Sequence, residues 1–131
     1  NKDLLANLSK FSGTSDAVLA IEWIEGMGMP VGKETFETCY WVGRFVQVWR
    51  GKVLRVPRKS VKLYLCGSLQ AKDPNVRRAL LDRIGTQGTK KAPGPTYGVT
   101  SHGWSALAVA ITAEAKLRGE PGLERVEWNE D

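Results

Sequence analysis

The chain has 131 residues and a mass of 14.4 kDa, with 42% apolar residues, 25% charged residues and a formal charge of +5. That length makes one domain with a single core, and the composition is globular rather than disordered, collagenous or disulfide-dense. The longest apolar runs, 17–21 and 104–113, fall short of the ~20 residues of a membrane span, and Cys39 and Cys66 match neither a C-x-x-C pair nor a zinc spacing, which favours a reducing compartment.

Residues 3–11 place Leu4, Leu5, Leu8 and Phe11 at helical spacing, with Gly13 as a stop. Residues 17–24 (AVLAIEWI) form an apolar run of strand length, the pattern of a central strand covered on both faces. A glycine-rich loop with Pro30 follows. Residues 33–49 read as a long helix whose inward stripe is Phe36, Cys39, Tyr40, Gly43 and Val46. A second strand covers 52–56, Pro57 breaks it, and 59–65 is a short helix or turn. Asp73 as a cap with Pro74 in the first turn starts a helix that faces inward through Val76, Ala79, Leu80 and Ile84. Residues 85–99, with four glycines and two prolines, predict a mobile loop. The last helix starts at Ser101 and runs to about Arg118, with Gly119 as a left-handed end cap and Ala106, Ala110 and Ala113 as a small-residue stripe. The segment 120–131 is expected to be a charged, exposed tail of the single domain 1–131.

This order predicts an α/β sheet. Two strands alone do not make a stable sheet, so further strands are expected.

The charge is uneven. Residues 114–131 carry a net −3, which leaves +8 on the rest and points to a polyanionic partner, nucleic acid first. Twelve basic residues fall between 50 and 99 with only Asp73 and Asp82 among them. Runs of this kind are commonly solvated faces; here the second cluster extends into the Gly-rich loop, a backbone suited to following a phosphate chain. Glu22 interrupts the apolar strand on the face of Val18, Ala20 and Ile24. It is either a strand-end acid reaching solvent or an arginine, or a metal ligand at the carboxyl edge of a sheet. His102, the only histidine, lies one turn from Ser105 on the same helix face, as a capping residue or as a ligand. Trp23, Trp41, Trp49 and Trp104 read as core. The Gly26-Met27 and Gly28-Met29 steps are flexible apolar tips beside Glu22.

Taken in order, Ile21-Glu22, the WVGR step at 41–44, PRKSVK at 57–62, CGS at 66–68, AKDPNVRRAL at 71–80 and SHGWSALAVAI at 101–111 resemble the RuvC family of Holliday-junction resolvases, especially their phage-type relatives. The resemblance covers most of 17–113. It implies an RNase H-like fold, a mixed five-stranded sheet flanked by helices, in a homodimer that cuts opposed strands of a four-way DNA junction. It also implies two Mg²⁺ or Mn²⁺ ions held by an acidic cluster, and a place in the cytoplasm of a bacterial or phage-infected cell. Carried over by position, Glu22 and His102 are the metal ligands, and Lys62 and Lys72 are the catalytic cations. Arg58, Lys59, Lys90 and Lys91, with the two catalytic lysines, hold the DNA backbone. Two departures stand out. Ser105 occupies a position where the family has an acid, and the family's first three strands, roughly 40–50 residues with their turns, have no counterpart and are expected upstream. The rival readings are a non-catalytic DNA binder on the same fold and a basic interaction domain without a nucleic-acid role.

Overall fold

The computed structural model describes residues 1–12, 16–26 and 28–130. Its elements are α1 (Lys2–Phe11), β1 (Val18–Trp23), α2 (Lys33–Val48), β2 (Lys52–Pro57), α3 (Arg58–Cys66), α4 (Asp73–Ile84), α5 (His102–Leu117) and β3 (Glu127–Trp128). They build a mixed α/β architecture, a three-stranded mixed sheet of order β1–β2–β3 flanked by helices. The expected Gly13 stop and the Met27 tip lie outside the described residues.

β1 and β2 run parallel, in register from Val18↔Lys52 to Trp23↔Pro57. Alternation along β2 sends Leu54 and Val56 to one face, where both are fully buried, and Arg55 to the other. The register sets Ala20 beside Leu54 and Glu22 beside Val56 on that same face. α5 packs there, with Ala108, Thr112 and Ala115 fully buried. Small side chains let the helix approach the strands closely. The Thr112 hydroxyl donates to the Ala108 carbonyl oxygen at 2.8 Å, so it enters the apolar layer without an unmet hydrogen bond. Val61 and Leu65 of α3 and Val76 and Leu80 of α4 complete the core.

Two expected stripes are corrected. On α5, Ala106 and Ala110 are exposed, and the inward side is Ala108, Val109, Thr112, Ala113 and Ala115. This helix is apolar nearly all round, so periodicity carries no contrast and packing decides its rotation. On α2, Phe36 and Tyr40 are 65% and 60% exposed, Cys39 and Gly43 are exposed too, and only Val46 of the expected stripe is half-buried. Its sheltered side is Trp41, Val42, Phe45 and Val46, and α1 packs against α2. Of the four tryptophans read as core, only Trp49 is buried, its Nε1 donating to the Lys52 carbonyl oxygen at 3.1 Å. Trp23, Trp41 and Trp104 are half-buried beneath the guanidiniums of Arg55, Arg44 and Arg77.

The C-terminal segment is charged, yet it is part of the fold. Leu123 and Val126 are 2% and 0% exposed, and Glu127 and Trp128 pair antiparallel with Arg55 and Leu54. The turn into this segment is set by Gly119, at φ 81°, whose N–H donates to the Lys116 carbonyl while the N–H of Glu120 donates to that of Ala115. This is the left-handed end cap expected from the sequence. It delivers Glu120 to a polar cluster at the far end of α3. There the Arg118 guanidinium donates to its carboxylate at 2.5 Å, the Tyr64 hydroxyl donates to it at 3.0 Å, and Arg83 donates to the Tyr64 oxygen at 3.2 Å.

Leu123→Ala is expected to destabilise the fold by about 2–5 kcal/mol in a urea titration; a change near zero would mean that 120–130 does not pack on the core. The Arg118 hydrogen bond, followed by that from Tyr64, holds the Glu120 carboxyl below its ordinary value of 4.5. A depressed folded-state value adds stability that is present above 4.5 and is lost as pH falls through the folded-state value. The Tm difference between wild type and Glu120→Gln should therefore be largest at neutral pH and shrink on acidification below 4.5.

Candidate functional site

The end of β2 leads without a break into α3, since Pro57 is both the last strand residue and the helix N-cap. Arg58 thus stands directly beyond the carboxyl end of the parallel pair. It lines an open cleft of about 610 Å³ with Asp73, Arg77 and Arg78 of α4, Gln87 and Val99, and Ser101, Trp104 and Ser105 at the start of α5. Three of the lining side chains are guanidiniums and Asp73 is the only carboxylate. The Arg58 Nη2 donates to Asp73 Oδ1 at 2.5 Å, and the Arg77 guanidinium lies 5.0 Å from the Trp104 ring centroid. Arg78 pairs with Asp82 along α4 at 3.3 Å.

The local sequence explains how these groups are held. α4 starts one residue earlier than Asp73 as a cap would place it. Lys72 is the N-cap residue, and its N–H donates to Asn75 Oδ1 at 2.9 Å. Asp73 is thereby freed from capping, and its carboxylate pairs with Arg58 instead. At α5, Ser101 is the N-cap residue without a side-chain cap hydrogen bond. Its φ of 48° is the only positive value at a non-glycine among the described residues. Backbone of this kind costs about 1–3 kcal/mol and collects at functional sites.

The 85–99 segment is a folded hairpin, where the sequence suggested mobility. The Gly94 N–H donates to the Gln87 carbonyl at 2.8 Å, and that of Thr89 to Ala92 at 3.0 Å. The buried Thr96 hydroxyl donates to the Gly85 carbonyl at 3.0 Å, and the Gln87 amide donates to Val99 at 2.9 Å. Glycine is required by close approach: a Cβ on Gly94 would lie 1.9 Å from the Thr86 carbonyl oxygen, and one on Gly88 2.3 Å from that of Ala92. The hairpin base lines the cleft through Gln87 and Val99, and its exposed tip is Lys90-Lys91.

The structure brings some of the sequence-nominated residues together and leaves others apart. Glu22 is half-buried one residue from the end of β1, on the α5 face, and makes no ion pair or side-chain hydrogen bond with another described residue. His102 is exposed in the first turn of α5. Both belong to the end of the sheet that carries the cleft, since Trp23 pairs with Pro57 and Ser101 lines the cleft with Arg58. Neither lines the cleft itself. Lys59 and Lys62 are half-buried on α3 and Lys72 is exposed before α4; these three also lie outside the cleft lining. Lys59, Lys62, Lys72, Lys90 and Lys91 have no carboxylate partner among the described residues. Sequence reasoning missed the Arg77–Trp104 stack and the strained Ser101. The stack joins residues 27 positions apart and has no local signal.

Among the described residues no group of three or more His, Cys, Asp or Glu side chains is placed to hold an ion. One carboxylate with waters and a substrate phosphate suffices for one Mg²⁺, so Glu22 fits a single ion. The donors near this end, an acid, an imidazole and the Ser105 hydroxyl, do not make the acidic cluster that the resemblance implies for two ions.

Among the described residues no helix is long and apolar enough to cross a membrane. Compared with protein-family models, curated proteins and solved structures, the chain gives no match.

Gly94→Ala is expected to open the hairpin and leave the core intact. Amide exchange at position 94 and at Thr89 should quicken by about tenfold or more, the scale of losing one or two net hydrogen bonds. Unchanged exchange at both would refute the close-approach account.

Proposed function

We propose that this chain is an RNase H-like domain of the RuvC type that binds branched DNA, the four-way junction first, and cuts it by metal-dependent phosphodiester hydrolysis. One observation carries this reading: a half-buried carboxylate without a partner among the described residues, the strained start of α5 and an arginine-lined cleft occupy the same end of the sheet. The fold supports it in outline. β1 and β2 are a parallel pair under α5, and the outer edge of β1 is unpaired among the described residues, where the RNase H-like arrangement sets its first strand.

In this reading the cleft and the hairpin tip hold the DNA backbone. Guanidiniums match phosphate oxygens with two parallel N–H donors, and lysines at an exposed tip act as point charges on a neighbouring strand. Glu22 is the carboxylate that would hold Mg²⁺ or Mn²⁺. A bound ion would supply an activated water and neutralise charge on the phosphoryl group. His102 would bind the ion with Glu22 or orient the attacking water. Lys62 and Lys72 offset charge on the phosphate, and Arg58, Lys59, Lys90 and Lys91 keep the strand in place. A homodimer would present two such surfaces to the opposed strands of a junction. Among the described residues no group of three or more His, Cys, Asp or Glu side chains is placed to hold a pair of ions. That shortfall, with Ser105 where the family has an acid, favours a second reading, a junction binder that does not cut.

Binding and cutting are measured separately. Junction affinity should fall steeply with salt, and Arg58→Gln, Arg77→Gln and Arg78→Gln together should flatten the log–log slope by about 0.9 for each phosphate that is no longer neutralised. A flat wild-type slope would end both readings. Glu22→Gln should abolish Mg²⁺- or Mn²⁺-dependent cutting with affinity changed less than about threefold, as expected of an uncharged isostere away from the phosphate-binding side chains. Cutting at the wild-type rate would remove Glu22 from the mechanism, and tight binding without any cutting would select the second reading.

A further inference from the structure

We propose that Asp73 is an internal stand-in for a DNA phosphate, holding Arg58 across the empty cleft and giving it up to a phosphodiester group when nucleic acid binds. The inference rests on the reading of the cleft as a DNA surface and adds to it an exchange of partners on one guanidinium.

The two ends of the ion pair are unequal. The Arg58 side chain is only 28% exposed, whereas that of Asp73 is 85% exposed. Arg58 is therefore mostly sheltered at the end of β2, and its partner stands in solvent. Carboxylate and phosphate use the same guanidinium donors, so one replaces the other without moving the arginine. An exposed carboxylate holds its partner weakly. A phosphate lying in this cleft also meets Arg77 and Arg78, which line it beside Arg58. Release costs Asp73 little, because it is the first residue of α4, where the helix dipole favours a negative charge and Lys72 already serves as the N-cap residue. In the free protein the pair keeps Arg58 extended into the cleft and cancels one charge there, which disfavours loosely held anions.

The test is a double-mutant cycle on affinity for a four-way junction and for a short single-stranded oligonucleotide, with Asp73→Asn, Arg58→Gln and the double variant. Asp73→Asn should bind both probes about three- to tenfold tighter than wild type with the salt slope nearly unchanged, because Arg58 neutralises the same phosphate in both complexes. The gain should vanish when Arg58 is glutamine, which gives a coupling between the two positions. An equal gain in both backgrounds would show only long-range charge removal and overturn the exchange. No gain, or weaker binding, in a variant whose Tm matches wild type would overturn it as well. Asp73→Ser serves as the second variant should Asp73→Asn fold poorly, with the same outcomes. Failure of the wild-type chain to bind either probe defeats the DNA reading; wild-type binding without coupling defeats the exchange alone.

Discussion

Close packing of α5 on the parallel pair is the constraint from which the arrangement follows. Leu54 and Val56 are buried beneath a helix whose inward residues are alanines, a valine and one self-satisfied threonine. Interiors at this density do not let such a helix slide or turn by a residue without opening a void or a clash. With the helix locked, its first turn is held at the carboxyl end of the strands, beside Arg58. An ordinary apolar layer thus brings the only histidine, the end of β1 and the start of α3 to one end of the molecule, although they are far apart in the chain.

The charged surface there is held by local structure. Arg58 is set by a strand that ends directly in a helix, Arg77 by stacking on Trp104, and Lys90 and Lys91 by a hairpin that two glycines allow to close on itself. A basic surface built in advance loses less entropy when a polyanion arrives than a flexible lysine tail would. The opposite balance holds at the far end of α3, where arginines, a tyrosine and acids satisfy one another around Glu120. Most cations between 50 and 99 have no carboxylate partner among the described residues, whereas Glu114, Arg118 and Glu120 pair with one another.

Different parts of this molecule were legible to different degrees. β1, β2, the long α2, the proline-led α4 and the Gly119 end of α5 follow from local signals, namely apolar runs, a proline in a first turn and a glycine past a helix end. The faces of α2 and α5 do not. α2 carries Phe36 and Tyr40 outward although both sit at core-like spacing, and α5 offers apolar residues on every side, so only the packed partner picks a face. The hairpin was hidden for another reason. Glycines and prolines signal departure from helix and strand, and they are silent on whether a segment closes its own hydrogen bonds. Leu123 and Val126 were masked by charged neighbours, yet two apolar residues three apart suffice to anchor a short segment when a groove awaits them.

Sequence alone determined the helices and the two parallel strands, the excess of cations over acids from 50 to 99, and which ionisable groups are present, because each depends on the residue itself or on near neighbours in the chain. Tertiary structure decided which side of each helix is inside, that the tail supplies a third strand, that Asp73 meets Arg58 and Arg77 covers Trp104, and that Glu22 and His102 share an end of the sheet without joining the cleft. Those facts depend on contacts between residues distant in the chain, whose energies exist only once the core has closed.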